Sequence, residues 1–109
     1  MYEDRRVFAR IEAKFPVRFL NPADGSEGEA ETTDVSANGL GLLTKENLPS
    51  NTPLELWLSI PDNHLPLYTR GEVVWAQASE AGEQRRVGVR LEKAELMGLA
   101  RVLWMQNQA

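Results

Sequence analysis

The sequence contains no cysteine, which excludes disulfides, thiolate nucleophiles and zinc–thiolate centres together. It has a single histidine, His64, in the proline-flanked stretch Ile60-Pro61-Asp62-Asn63-His64-Leu65-Pro66. A lone imidazole in such a loop reads as solvated surface, not as a metal ligand or general base. No apolar run approaches the ~20 residues that span a bilayer. The opening Met1-Tyr2-Glu3-Asp4-Arg5-Arg6 lacks the apolar stretch of a signal peptide. The expectation is a cytoplasmic protein with no membrane partner, and the lack of cysteine agrees with that compartment. There is no Gly-Lys-Ser or Gly-Lys-Thr step to cradle phosphate. Gly39 and Gly41 fall between strand candidates, so they form no dinucleotide fingerprint, and no serine sits in a nucleophile elbow. Acidic pairs are expected by chance among 16 acidic residues. We therefore expect no enzyme, no catalytic residue, no metal and no cofactor.

What is present fits one soluble domain. At 109 residues the chain can bury roughly 65% of its unfolded surface without covalent staples. Hydrophobic residues make up 42% and charged residues 26%, ordinary proportions for a globular fold. The net charge of −4 argues against a general DNA or RNA binder, which would carry a broad basic face. The charge is unevenly spread, however. Residues 5–18 hold Arg5, Arg6, Arg10, Lys14 and Arg18 against Glu12 alone, a local +4, whereas Asp24, Glu27, Glu29, Glu31 and Asp34 follow with no basic residue among them. A basic segment on an acidic protein suits a small anion better than a long polyanion.

The hydrophobic period is mostly two. Phe15-Pro16-Val17-Arg18-Phe19-Leu20 is a short strand candidate, and Asn21-Pro22-Ala23-Asp24-Gly25-Ser26 is dense in turn residues. A polar strand from about Glu27 to Val35 leads to the turn Ser36-Ala37-Asn38-Gly39, whose Asn38 and Gly39 suit positive φ. Leu40-Gly41-Leu42-Leu43-Thr44 returns. The clearest alternation puts Leu54, Leu56, Leu58 and Ile60 inward and Glu55, Trp57 and Ser59 outward. Leu67 to Gln77 and Arg85 to Leu91 complete the strands, with Val87, Val89 and Leu91 inward. The period then changes. Leu96, Leu99, Ala100, Leu103 and Trp104 recur at helical spacing and predict the buried stripe of one terminal amphipathic helix, with Glu92 and Glu95 near its start. Short strands plus one terminal helix predict an antiparallel barrel or sandwich packed against that helix.

Two short motifs stand out: Arg5-Arg6-Val7-Phe8-Ala9-Arg10, with Arg-x-x-x-Arg at 6 and 10, and Asp34-Val35-Ser36-Ala37-Asn38-Gly39, of the form Asp-x-Ser-x-x-Gly. Each alone is commonplace. In this order, with the Pro16-Val17 strand, Gly39-Leu40-Gly41-Leu42, Gly71-Glu72-Val73-Val74-Trp75 and Val87-Gly88-Val89-Arg90-Leu91, they resemble the PilZ family along nearly the whole chain.

The resemblance implies a mainly β fold, a small six-stranded antiparallel barrel with a C-terminal helix. One domain would cover 1–109, with a mobile arginine arm at 1–10, a barrel at 15–91 and a helix at 92–106. It also implies a receptor for cyclic di-GMP, with Arg5, Arg6, Arg10, Asp34, Ser36, Gly39 and Trp75 as candidate ligand-binding residues. The chemistry fits: Arg6 and Arg10 can grip phosphate or the O6/N7 edge of guanine and stack on a purine. Asp34 can accept from guanine N1–H and N2–H₂, Ser36 offers a hydroxyl, and Gly39 permits close approach. Phe8 is expected to anchor the arm on the barrel, and Trp75 fits equally in the core or on the ligand face. Trp57 and Trp104 are assigned to packing or a partner surface. Ligand would order the arm, Arg5 would favour an intercalated pair of ligands, and output would pass to a protein effector in trans. Two other readings stay open: a PilZ-like protein-interaction module, as in type IV pilus assembly, and a small barrel binding single-stranded nucleic acid.

Overall fold

The computed structural model describes residues 10–78 and 82–107. Arg5, Arg6, Phe8 and the arm expected to be mobile therefore lie outside the described residues, Arg10 excepted. Among the described residues, seven strands and one helix follow in order: β1 Ile11–Glu12, β2 Pro16–Leu20, β3 Glu27–Ser36, β4 Gly39–Thr44, β5 Pro53–Leu58, β6 Leu67–Ala78, β7 Arg85–Leu91 and α1 Leu96–Gln106. Every pairing is antiparallel. The order β3-β2-β5-β6-β7-β4 closes through β3–β4 into a six-stranded barrel, and β1 is an extra strand on β3. Closure leaves these six strands with no free edge along most of their length.

The core follows from the alternation. Val17 and Phe19 of β2, Leu40 and Leu42 of β4, Leu54, Leu56 and Leu58 of β5, Val73 of β6, and Val87, Val89 and Leu91 of β7 are all buried. Each large side chain so buried contributes about 1.5–3 kcal/mol. Thr32 is polar yet fully buried, and its hydroxyl bridges two backbone groups. Its Oγ1 donates to the Ala13 carbonyl at 2.6 Å and accepts from the Phe15 N–H at 3.0 Å. It thereby fixes the bend between β1 and β2, the segment that leads from Arg10 into the barrel.

Two bulges change the alternation. In β3 the register slips between Thr32 and Asp34, and in β6 between Val73 and Trp75. Each bulge inserts one residue and reverses which face the next residue occupies. Thr32 and Val35 are thus both inward despite their odd separation, and Asp34 turns outward. Val73 is inward, and Trp75, two residues on, is nearly half exposed on the outer face.

The helix corrects the sequence-based expectation. Its buried residues are Gly98, Leu99 and Val102, whereas Leu96, Ala100, Leu103 and Trp104 face solvent. Polar anchoring decides the rotation. Arg101 Nε and Nη2 donate to Asp62 Oδ2 and Oδ1 at 2.6 and 2.8 Å, and Nη2 also donates to the Leu65 carbonyl at 2.9 Å. At Gly98 the helix comes so close to Leu67 of β6 that a Cβ would collide with its side chain. The helix also starts at Leu96 rather than Glu92, because the N–H of Glu92 is committed to the Arg70 carbonyl and that of Glu95 to the Ala37 carbonyl.

Candidate functional site

The motif turn is held from behind. Ser36 pairs with Gly39 across the two-residue link Ala37-Asn38. The Asn38 carbonyl accepts from the Leu91 N–H at 2.8 Å and the Ala37 carbonyl from the Glu95 N–H at 2.5 Å. The positive φ expected at Asn38 and Gly39 is not found: in the described residues it occurs at Gly25, Asn51, Asn63 and Gly82. Glycine at 39 serves close packing instead. A Cβ there would press on the Val89 carbonyl at 3.0 Å and approach Arg10 Nη2 at 3.6 Å and Ser36 Oγ at 3.7 Å. Ser36 itself is buried, its hydroxyl bonded to Asn38 Oδ1 at 3.0 Å, so it shapes the turn more directly than it faces outward.

Arg10 and Asp34 are brought together. Arg10 Nη1 is ion-paired with Asp34 Oδ1, while Thr33 Oγ1 donates to Asp34 Oδ2 at 2.8 Å. Each carboxylate oxygen accepts one bond and keeps a further lone pair for an incoming N–H. The Arg10 side chain remains about half exposed.

A shelf of two glycines extends from this pair, covered by the side chains at its two ends. Asp34 pairs with Gly41, Gly41 with Gly88 and Gly88 with Trp75, making one row across β3, β4, β7 and β6. Three strand spacings separate its ends, roughly 14 Å along the sheet. The two middle positions have no side chain, and both glycines are buried, Gly41 beneath Asp34 and Thr33 and Gly88 beneath Trp75. A Cβ on Gly41 would strike the Asp34 carboxylate and Thr33 Oγ1, and one on Gly88 would fall inside the Trp75 indole. The flanking row places Arg90 beside Gly39, with its guanidinium donating to Glu72 at 2.9 Å. On the other side Arg86 stands between Leu43 and Gln77.

Of the expected site residues, Arg10, Asp34, Ser36 and Gly39 thus converge, and Trp75 lies on the same outer face. Arg5 and Arg6 fall outside the described residues. Gly41, Gly88, Arg86 and Arg90, which lie in the same rows, were not singled out as candidates. The signal for them was available: inward Val87, Val89 and Leu91 leave Arg86, Gly88 and Arg90 on the outer face. Among the described residues no group of acidic and histidine side chains could hold a metal ion. No described helix is long and apolar enough to cross a membrane.

The sequence matches the PilZ domain over residues 4–104. The chain belongs to the PilZ family. A search of curated proteins found no match. Solved structures share the fold. The Bacillus subtilis inhibitor of motility MotI/DgrA aligns with a TM-score of 0.72 at 17% identity, over 97% of this chain and 52% of that one. The PilZ domain of YcgR from Escherichia coli, solved with c-di-GMP, gives 0.70 at 15% identity over 96% and 93%. The c-di-GMP complex of MrkH from K. pneumonia gives 0.65 at 15% identity over 95% and 52%. The chain therefore spans about half the length of MotI and of MrkH, and nearly all of the isolated YcgR PilZ domain.

Proposed function

We propose that this PilZ domain is a receptor for cyclic di-GMP that binds without turnover. The observation that carries the reading is the Arg10–Asp34 pair beside the Gly41–Gly88 shelf. A cationic fork, a carboxylate and an exposed indole meet the needs of a phosphate, a guanine edge and a purine face. The E. coli YcgR and K. pneumonia MrkH complexes with c-di-GMP support it as relatives in fold. Arg6 would add a second guanidinium from the other end of Arg-x-x-x-Arg, and Arg5 a third. That third cation favours two intercalated ligands per chain, because it can stack on and neutralise the second. A one-to-one endpoint, unchanged in Arg5→Leu, would leave the single-ligand version.

Output passes to a protein effector in trans, through ordering of residues 1–10 over the shelf. The motif turn offers a second route, since its Ala37 carbonyl is bonded to the N-cap of α1. Thermal melting tests the receptor reading. Saturating cyclic di-GMP is expected to raise the melting temperature, by about 2.7 kcal/mol of added stability at a hundredfold excess over Kd. An unchanged melting temperature would replace it with the protein-interaction reading.

A further inference from the structure

The outward face of α1 has a symmetry of its own. Leu96, Met97, Leu103 and Trp104 are 56%, 64%, 42% and 53% exposed, and Ala100 between them is exposed as well. Relative to Ala100 these residues stand at −4, −3, 0, +3 and +4, so the stripe reads large, large, small, large, large in either direction. At 100° per residue it covers a 120° arc centred on Ala100. The only charged residue of the helix, Arg101, is turned away and bound to Asp62.

We propose that this face is a homodimer interface, in which α1 packs antiparallel against α1 of a second copy about a two-fold axis at Ala100. A two-fold interface requires a patch complementary to itself, and this pattern supplies it. The axis keeps each residue's lateral side and inverts its height. Leu96 therefore lies against Leu103 of the second copy, Met97 against Trp104, and Ala100 against Ala100. The small central side chain lets the two helices cross closely.

Charge and area both fit a second copy. The chain carries −4 overall, yet the stripe itself is uncharged, so two copies meet there without opposed like charges. Its four large side chains expose roughly 400 Å² of apolar surface, the size at which a patch on a monomer commonly marks an interaction site. Two copies bring together roughly 800 Å² of this surface, below the ~1,200 Å² at which specific stable interfaces begin, so the contact is that of a weak dimer. A dimer dissociating in the micromolar range is the expected strength.

Sedimentation velocity of the full chain, from low to high micromolar concentration, tests this. The wild type is expected to pass from monomer to dimer with little sensitivity to salt, as befits an uncharged contact. L103E and W104E should each weaken the dimer by at least about tenfold, as for central contacts of an interface, while melting like the wild type at concentrations low enough that all are monomeric, because both side chains are exposed in the monomer. The chain has no cysteine, so A100C is a single reporter: oxidation should give a covalent dimer from A100C but not from S26C, which lies in the loop after β2. A wild type that stays monomeric throughout would overturn the proposal, whether another protein or another segment covers the face. So would a dimer unaffected by both substitutions, or equal cross-linking at position 26.

Discussion

The Arg10 guanidinium is bonded to the Asp34 carboxylate, joining two segments that stand 24 residues apart in the chain. Each residue positions the other. The pair sits at the end of a shelf whose floor is two glycines. Arg10→Ala should therefore weaken cyclic di-GMP binding by at least ~1.5 kcal/mol, about tenfold or more, since charge-assisted bonds are worth about that. The fold should survive, because Arg10 is largely exposed. Asp34→Ala should cost less affinity but more preference for guanine over adenine ligands. Titration of both variants against the parent checks this, and parental affinity in Arg10→Ala would mean that the pair is not the clasp.

The shelf makes a second demand. A Cβ at position 88 must displace the Trp75 indole, which is exposed enough to swing aside at little cost to stability. Gly88→Ala is thus expected to shift tryptophan fluorescence and reduce affinity about tenfold, with a melting temperature close to the parent's. Full affinity in this variant would show that the seating of the Trp75 indole over Gly88 is not used in binding.

Much of this was legible in the sequence. Leu54, Leu56 and Leu58 alternate cleanly within β5, although the strand stops at Leu58 and leaves Ser59 and Ile60 beyond it; Arg85–Leu91 is β7 to the residue. The Asp-x-Ser-x-x-Gly turn marked the hairpin between β3 and β4. The bulges were not legible, because an inserted residue leaves no mark in a run such as Val73-Val74-Trp75 while reversing the face of the residues after it. That is why Trp75 fitted core and surface equally. The terminal helix is where the sequence placed one, but its buried face was misread for another reason: its outward apolar residues keep helical spacing as well as its buried ones do. The rotation is fixed by long-range contacts, Arg101 on Asp62 and Gly98 on Leu67.

Thr32 should be sensitive out of proportion to its size. Thr32→Val keeps the shape but strips the hydroxyl that serves both Ala13 and Phe15. Leaving those backbone groups unsatisfied costs about 1–3 kcal/mol. Denaturant unfolding measures the loss, and a change within error would show that the bend is held by other contacts.

Acid should loosen the helix. The hydrogen bonds from Arg101 hold the Asp62 carboxyl far below its ordinary value of 3.8, against the opposing effect of burial. A carboxylate depressed on folding adds stability that is complete above its unfolded value and is lost as pH falls through its folded one. Melting temperature should therefore decline below about pH 4, and Asp62→Asn should start lower at neutral pH and decline less steeply. Parallel curves for the two proteins would assign acid sensitivity to other carboxylates.

The central claim is that this barrel recognises cyclic di-GMP through the arginine motif and the Asp34 turn. Calorimetric titration of the folded chain with cyclic di-GMP, against the linear dinucleotide as control, tests it most directly. The account predicts micromolar or tighter binding, about −8 kcal/mol or better, with the linear form much weaker. No heat at saturating cyclic di-GMP, or equal affinity for the linear dinucleotide, would contradict it.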